Sequence, residues 1–189
     1  PSGYGNVYFY LKNRGYKNIE CVDLDSFKVK ASNDMGVPAV CGDAFEYLSG
    51  KKEFYDVVVS LDFLEHIEKD KVLVFLKLCY ESLKKGGVLI LRTPCADSPF
   101  FGAAAFNDIT HEWCATSGVL TELLKIIKFE KINIKDEYPA PYKLVNFIRL
   151  IIYKSVVKIL NLTLNFSGIA CPNIWTPNMW AVAMKSCAK

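Results

Sequence analysis

Gly3 and Gly5, in the run Ser2-Gly3-Tyr4-Gly5, lack side chains that would keep a ligand from their backbone amides. A glycine turn of that kind at the start of a helix suits a ligand held by main-chain N–H groups. Asp23 lies about 20 residues further on, at the end of a strand candidate, where a carboxylate can accept both hydroxyls of a ribose. Asp43 ends the next strand candidate and can take a hydrogen bond from an adenine amino group. Taken singly, each has a plain structural reading: a turn for the glycines, a solvated strand end for each acid. Together, at successive strand exits, they point to a nucleoside-bearing ligand.

The chain has two histidines, and both fall where chemistry is expected. His66 follows Glu65 at a helix start, so a packing role there competes with proton transfer. His111 lies in the irregular stretch 94–115, flanked by Asp108 and Glu112, which can tune it as a base on the acceptor side. Pinning of that loop is its structural alternative. Asp62 is the third candidate base, with shaping of the ligand pocket as its other role.

These residues need elements to hold them. Short β-branched runs alternate with helical stretches through residues 1–137, the pattern of parallel strands joined by crossover helices. Strands are expected at 18–23, 37–41, 55–60, 88–92, 129–135 and 179–184. Tyr55 to Ser60 reads as a run buried on both faces. Helices are expected from the glycine turn to about Arg14, at 26–32, from 44 through Leu48, at 68–83 and at 117–127. The 68–83 helix would be closed by Lys84-Lys85-Gly86-Gly87. Pro139 and Pro141 break the pattern before an apolar helix candidate at 143–164.

The 189 residues are 51% apolar and 23% charged, which allows one sizeable core and excludes a disordered chain. No signal peptide or membrane-spanning run is apparent, so a soluble cytoplasmic protein is expected. Seven cysteines without a C-x-x-C pair give neither a zinc cage nor a redox motif, and most are expected to be buried thiols. The net charge of +3 is uneven: residues 138–189 hold six basic and no acidic residues. Lys143, Arg149, Lys154 and Lys158 fall in or beside the apolar helix candidate, which reads either as a lid or as an in-plane helix on an anionic membrane surface. Basic residues interleaved with aliphatics do not make a nucleic-acid groove.

As an ordered set, the motifs Gly3-Tyr4-Gly5-Asn6, Val22-Asp23-Leu24-Asp25, Gly42-Asp43-Ala44, Asp62-Phe63-Leu64-Glu65-His66 and Leu83-Lys84-Lys85-Gly86-Gly87-Val88-Leu89-Ile90 resemble those of class I S-adenosylmethionine-dependent methyltransferases. The resemblance implies a Rossmann-like, doubly wound α/β fold with a mostly parallel sheet and an antiparallel C-terminal strand. The methyltransferase domain would span 1–137 and 178–189, with 138–177 inserted as a basic, apolar helical segment. S-adenosylmethionine would be held by Gly3, Gly5, Asp23, Leu24, Asp43, Ala44 and Leu61. Asp97-Ser98-Pro99 and the run from Asn107 to Glu112 are similar to methyltransferases of bacterial surface-polysaccharide biosynthesis, implying a small-molecule or glycan acceptor such as a sugar hydroxyl. The group's first central strand would precede Pro1, so the resemblance also implies a chain lacking that strand. Two other classes stay open. One is an NAD- or nucleotide-sugar-binding Rossmann enzyme, against which Tyr8 stands where a third glycine is usual; the other is a non-catalytic binding module.

Overall fold

The computed structural model describes residues 3–138 and 143–187; Ser2 of the glycine turn and the Pro139/Pro141 break lie outside the described residues. After α1 (Asn6–Lys12), strands β1 (Cys21–Asp23) and β2 (Ala39–Cys41) pair in parallel, with α2 (Ser26–Asp34) between them in sequence and α3 (Ala44–Ser49) after them. A second sheet has the order β3–β4–β6–β5, built from β3 (Tyr55–Leu61), β4 (Leu83–Pro94), β5 (Phe129–Asp136) and β6 (Asn178–Lys185). β3 and β4 are parallel, and β6 runs antiparallel between β4 and β5. The ends of β3, β4 and β5 and the start of β6 therefore share one edge. This is the doubly wound α/β arrangement with an antiparallel last strand.

The core sits on the four-stranded sheet. α4 (Val72–Ser82) turns Val72, Phe75, Leu76 and Cys79 inward at i, i+3, i+4 and i+7, against Leu83, Leu89 and Leu91 of β4. α6 (Ser117–Ile126) adds Leu120 and Leu124, both fully buried. A smaller cluster of Cys21, Val29, Val37 and Ala39 holds the two-stranded sheet.

Several expectations are corrected. Residues 68–83 do not form one helix: 3₁₀ turns at Leu64–His66 and Lys69–Lys71 precede α4. Lys84 to Gly87 close no helix either. Leu83 already pairs with Tyr55, and the register slips before Val57 meets Val88, with Gly86 in the left-handed region at φ 74°. The segment is a bulge inside β4. β3 is not buried on both faces, since Asp56 and Val57 are exposed: β4 is its one strand partner among the described residues, so its other edge is uncovered. Of the cysteines, Cys21, Cys79 and Cys95 are buried, Cys114 and Cys171 partly so, and Cys41 and Cys187 exposed.

Glu20 stitches the two sheets. Its carboxylate, just before β1, accepts the Tyr55 hydroxyl of β3, the Tyr47 hydroxyl of α3 at 2.7 Å and the Lys51 ammonium at 3.3 Å. These bonds, led by that from Tyr55, hold the Glu20 carboxyl below its usual range. A depressed carboxyl contributes stability above its ordinary pKa and loses it as pH falls through the folded value. Glu20→Ala is expected to lower unfolding free energy by about 1 kcal/mol at neutral pH. Denaturant melts of both proteins should show that difference shrinking as the pH drops below 4.5.

Candidate active site

At the first sheet, the glycine loop and Asp23 are joined directly. Gly3 donates its N–H to Asp23 Oδ2 at 2.8 Å, and Asp25 donates to Oδ1 at 3.0 Å. Ser32 Oγ, fully buried, donates to the Gly3 carbonyl at 3.0 Å. Asp23 thus pins the loop to the end of β1 while each of its oxygens keeps a further lone pair. Gly5, buried at the N-cap of α1 with φ 79°, is where the chain needs glycine: a Cβ there would sit 2.6 Å from Val37 Cγ2. A Cβ at Gly3 would meet nothing within 4 Å.

Asp43 stands at the neighbouring exit, coupled through Gly42, whose N–H donates to the Asp23 carbonyl at 3.0 Å. Its Oδ1 caps α3 through the Phe45 and Glu46 amides at 2.7 and 3.2 Å, so only Oδ2 is free for an adenine amino group. Asp25 caps α2 in the same way. Ala44 opens α3, Leu61 ends β3 half-buried, and Leu24 presents 72% of its surface to solvent beside Asp23. Open space at Gly3, acids with spare lone pairs and an exposed aliphatic surface fit an adenosine-bearing ligand.

The second group lies beyond β3. Glu65 is buried in the Leu64–His66 turn and accepts the Thr93 Oγ1 hydrogen at 3.0 Å. Burial pushes its carboxyl up, opposed by hydrogen bonds from its own backbone and from Thr93. The loop after β4, which includes α5 (Gly102–Ala105), folds back onto this turn. Glu112 donates its N–H to the Glu65 carbonyl at 2.8 Å, and the Trp113 indole donates to the Leu64 carbonyl at 3.0 Å. His66 and His111 are brought edge to face, with ring centroids 4.6 Å apart. From sequence, His66 reads as a residue of a helix start and His111 as one of the acceptor side; they occupy one place. Asp108 lies within electrostatic reach of both rings. It binds the Thr110 amide and hydroxyl at 2.9 and 2.7 Å, and Thr110 Oγ1 meets His66 Nδ1 at 2.9 Å, so the carboxylate supports His66. His111 Nδ1 lies 2.9 Å from the Ala105 carbonyl, to which it donates.

Asp62 is held by a partner the sequence did not reveal. Arg92 Nη1 reaches it at 2.8 Å and Arg92 Nε reaches Glu137 at 2.7 Å, while Asn178 Nδ2 donates to Glu137 at 2.9 Å. Burial raises the Asp62 carboxyl, with Arg92 opposing. This network closes the edge where β3, β4, β5 and β6 meet, and it makes Asp62 an ion-pair partner. A single Arg inside the apolar run Leu89 to Leu91 and Thr93 was the signal available. Burial also raises Cys95 and Cys114 to about 11, which leaves both as thiols at neutral pH. Two surface depressions, of about 420 and 310 Å³, lie elsewhere, one along α6 and one under α7 (Leu144–Phe166).

Comparison with known proteins bears on the fold. Residues 2–91, just under half of the chain, match the family model for a methyltransferase domain. No curated protein matches. A SAM-dependent methyltransferase from Archaeoglobus fulgidus superposes with a TM-score of 0.74 at 19% identity, over 97% of this chain and 83% of that one. A possible histamine N-methyltransferase from Thermotoga maritima gives 0.64 at 15% identity, over 98% and 79%. Phosphoethanolamine N-methyltransferase 2 of Haemonchus contortus, in complex with S-adenosylmethionine, gives 0.64 at 16% identity, over 98% of this chain and 47% of that one. The fold is therefore shared with solved S-adenosylmethionine-dependent methyltransferases, and residues 2–91 carry the match to a methyltransferase domain.

The glycine loop is the sharpest point at which to test the site. Gly5→Ala adds a strained positive φ and a contact with Val37, and is expected to cost about 1–3 kcal/mol of stability. Gly3→Ala, with open space around it, should cost about 1 kcal/mol from its positive φ alone. Thermal melts of the two variants, run side by side, check the order.

Proposed function

We propose that this chain transfers the methyl group of S-adenosylmethionine to an oxygen of a small-molecule or glycan acceptor, a sugar hydroxyl being the reading its loop after β4 favours. The observation that carries the cofactor assignment is the glycine loop tied to Asp23 at 2.8 Å, with Asp43 at the adjoining exit. Gly3, Gly5, Asp23, Leu24, Asp43, Ala44 and Leu61 would hold the cofactor, which supplies an electrophilic methyl group on a sulfonium. An unactivated hydroxyl is a weak nucleophile until its proton is removed, whereas a neutral amine attacks through its lone pair without losing a proton first. His66 and His111, side by side at the exit of β3, support an acceptor that needs such help. Asp62, ion-paired to Arg92, shapes the edge beside them.

The test is calorimetric titration with S-adenosylhomocysteine against NAD. S-adenosylhomocysteine is expected to bind and NAD not, with Asp23→Ala weakening binding by about 1.5–3 kcal/mol. Unchanged affinity in that variant would remove Asp23 from the site. NAD binding would restore the dinucleotide reading.

A second reading concerns where the acceptor resides. No residue of α7 is buried, although Leu150, Tyr153, Val157, Asn161 and Leu164 form a half-covered stripe at helical spacing. That stripe supports a lid. The outer side nonetheless exposes Leu144, Val145, Ile148, Ile152, Ile159 and Leu162, with Arg149, Lys154 and Lys158 on the same helix and no acid. No helix among the described residues is long and apolar enough to cross a membrane. An apolar, basic outer side supports in-plane contact with an anionic bilayer, where each cation near the surface contributes about 1 kcal/mol. Sedimentation with anionic vesicles is expected to capture the chain at low salt and release it as salt rises. Equal partitioning of a variant lacking residues 143–164 would leave α7 as a lid only.

A further inference from the structure

Glu65, His66 and His111 each offer a ligand atom, and these atoms all lie within 4.8 Å of one another. We propose that they form a divalent-cation site of the His₂Glu type, with an open position for the acceptor's oxygen. The inference rests on the methyl-transfer reading and states how the two histidines serve it.

Three features of the surroundings build the site. His111 Nδ1 donates to the Ala105 carbonyl at 2.9 Å, which leaves Nε2 with its lone pair. His66 Nδ1 sits 2.9 Å from Thr110 Oγ1 and 3.3 Å from the Thr110 carbonyl, and Thr110 Oγ1 donates onward to Asp108 at 2.7 Å. That chain holds the second imidazole as a donor at Nδ1 and frees Nε2 likewise. Glu65, 2% exposed, has Oε2 anchored by Thr93 at 3.0 Å. Two imidazoles oriented through their far nitrogens by a carbonyl and by a Thr–Asp relay, beside an anchored buried carboxylate, are how metal-ligating side chains are fixed. Asp62 is excluded as a fourth ligand by its ion pair with Arg92.

Two nitrogens and one carboxylate oxygen suit Zn²⁺ or Co²⁺, and three protein ligands leave a position for an exogenous oxygen. Bonds of about 2.0–2.1 Å would set the donor atoms roughly 3.4 Å apart, so the side chains close by about 1 Å on loading. A hydroxyl taken as fourth ligand releases its proton to solvent more readily than a free one. The oxygen's electron pair then forms the C–O bond as the methyl C–S bond breaks, and that bonding pair stays on sulfur. Neither oxidant nor reductant is needed. The histidines then act as ligands, and the acceptor is an alcohol or phenol.

The test uses the purified chain freed of metal by chelation and titrated with Co²⁺, read by its visible d–d absorption. One Co²⁺ per chain with tetrahedral-type bands is expected, displaced by Zn²⁺. His111→Ala and Glu65→Gln should each weaken binding at least about tenfold. If Glu65→Gln does not fold, His66→Ala at its half-buried position takes its place. Absence of Co²⁺ binding, or binding unchanged in His111→Ala, overturns the site. Calorimetry with S-adenosylhomocysteine on the metal-free chain separates the two claims. Its failure with Co²⁺ binding intact sinks the methyl-transfer reading, and its success without Co²⁺ binding sinks only the metal site.

Discussion

Two hydrogen bonds bring together the residues proposed to serve the acceptor. The Glu112 amide and the Trp113 indole both donate to carbonyls of the turn after β3, at 2.8 and 3.0 Å. They bring the irregular loop after β4 down onto the Leu64–His66 turn and set His111 against His66. The loop's other anchors act in the same sense: Asp97 Oδ2 accepts the Ser117 amide at the start of α6, and the Ser98 hydroxyl donates to the Trp175 carbonyl. A buried polar bond is worth more where water cannot replace it, so Ser98, at 1% exposure, is a firm tether.

The cofactor side rests on a different device. Asp23 uses one oxygen to hold the glycine loop and the other to hold the Asp25 amide, so the residue expected to meet a ribose also builds the loop above it. Asp43 likewise divides its oxygens between a helix cap and the open edge. Both arrangements follow from a carboxylate's capacity for several hydrogen bonds. A loop held by such bonds before any ligand arrives would lose less entropy on binding.

Much of this was legible in the sequence because the signals are local. Alternating strands and helices, acids at strand exits and glycines at a turn depend on a few neighbouring residues, and all six strands fall where the runs of β-branched residues put them. What escaped depends on contacts between distant segments. The meeting of His66 with His111 is set by Trp113 and Glu112, and the Asp62–Arg92–Glu137–Asn178 network joins four elements. Lys84 to Gly87 read as a helix end because basic residues and glycine favour one, yet pairing of Leu83 with Tyr55 overrode that preference. β3 read as doubly buried from its valines; exposure of Val57 came from an edge that no local pattern reports.

The central claim, that one sheet edge binds the cofactor through the glycine loop and two acids while the histidine pair serves the acceptor, is tested most directly by backbone hydrogen exchange with and without S-adenosylhomocysteine. The account predicts slower exchange at the amides of residues 3–9, 24–27 and 42–46, with α7 and α6 unchanged. Exchange unaltered at Gly3, Gly5 and the ends of β1 and β2, or protection confined to α7, would contradict it.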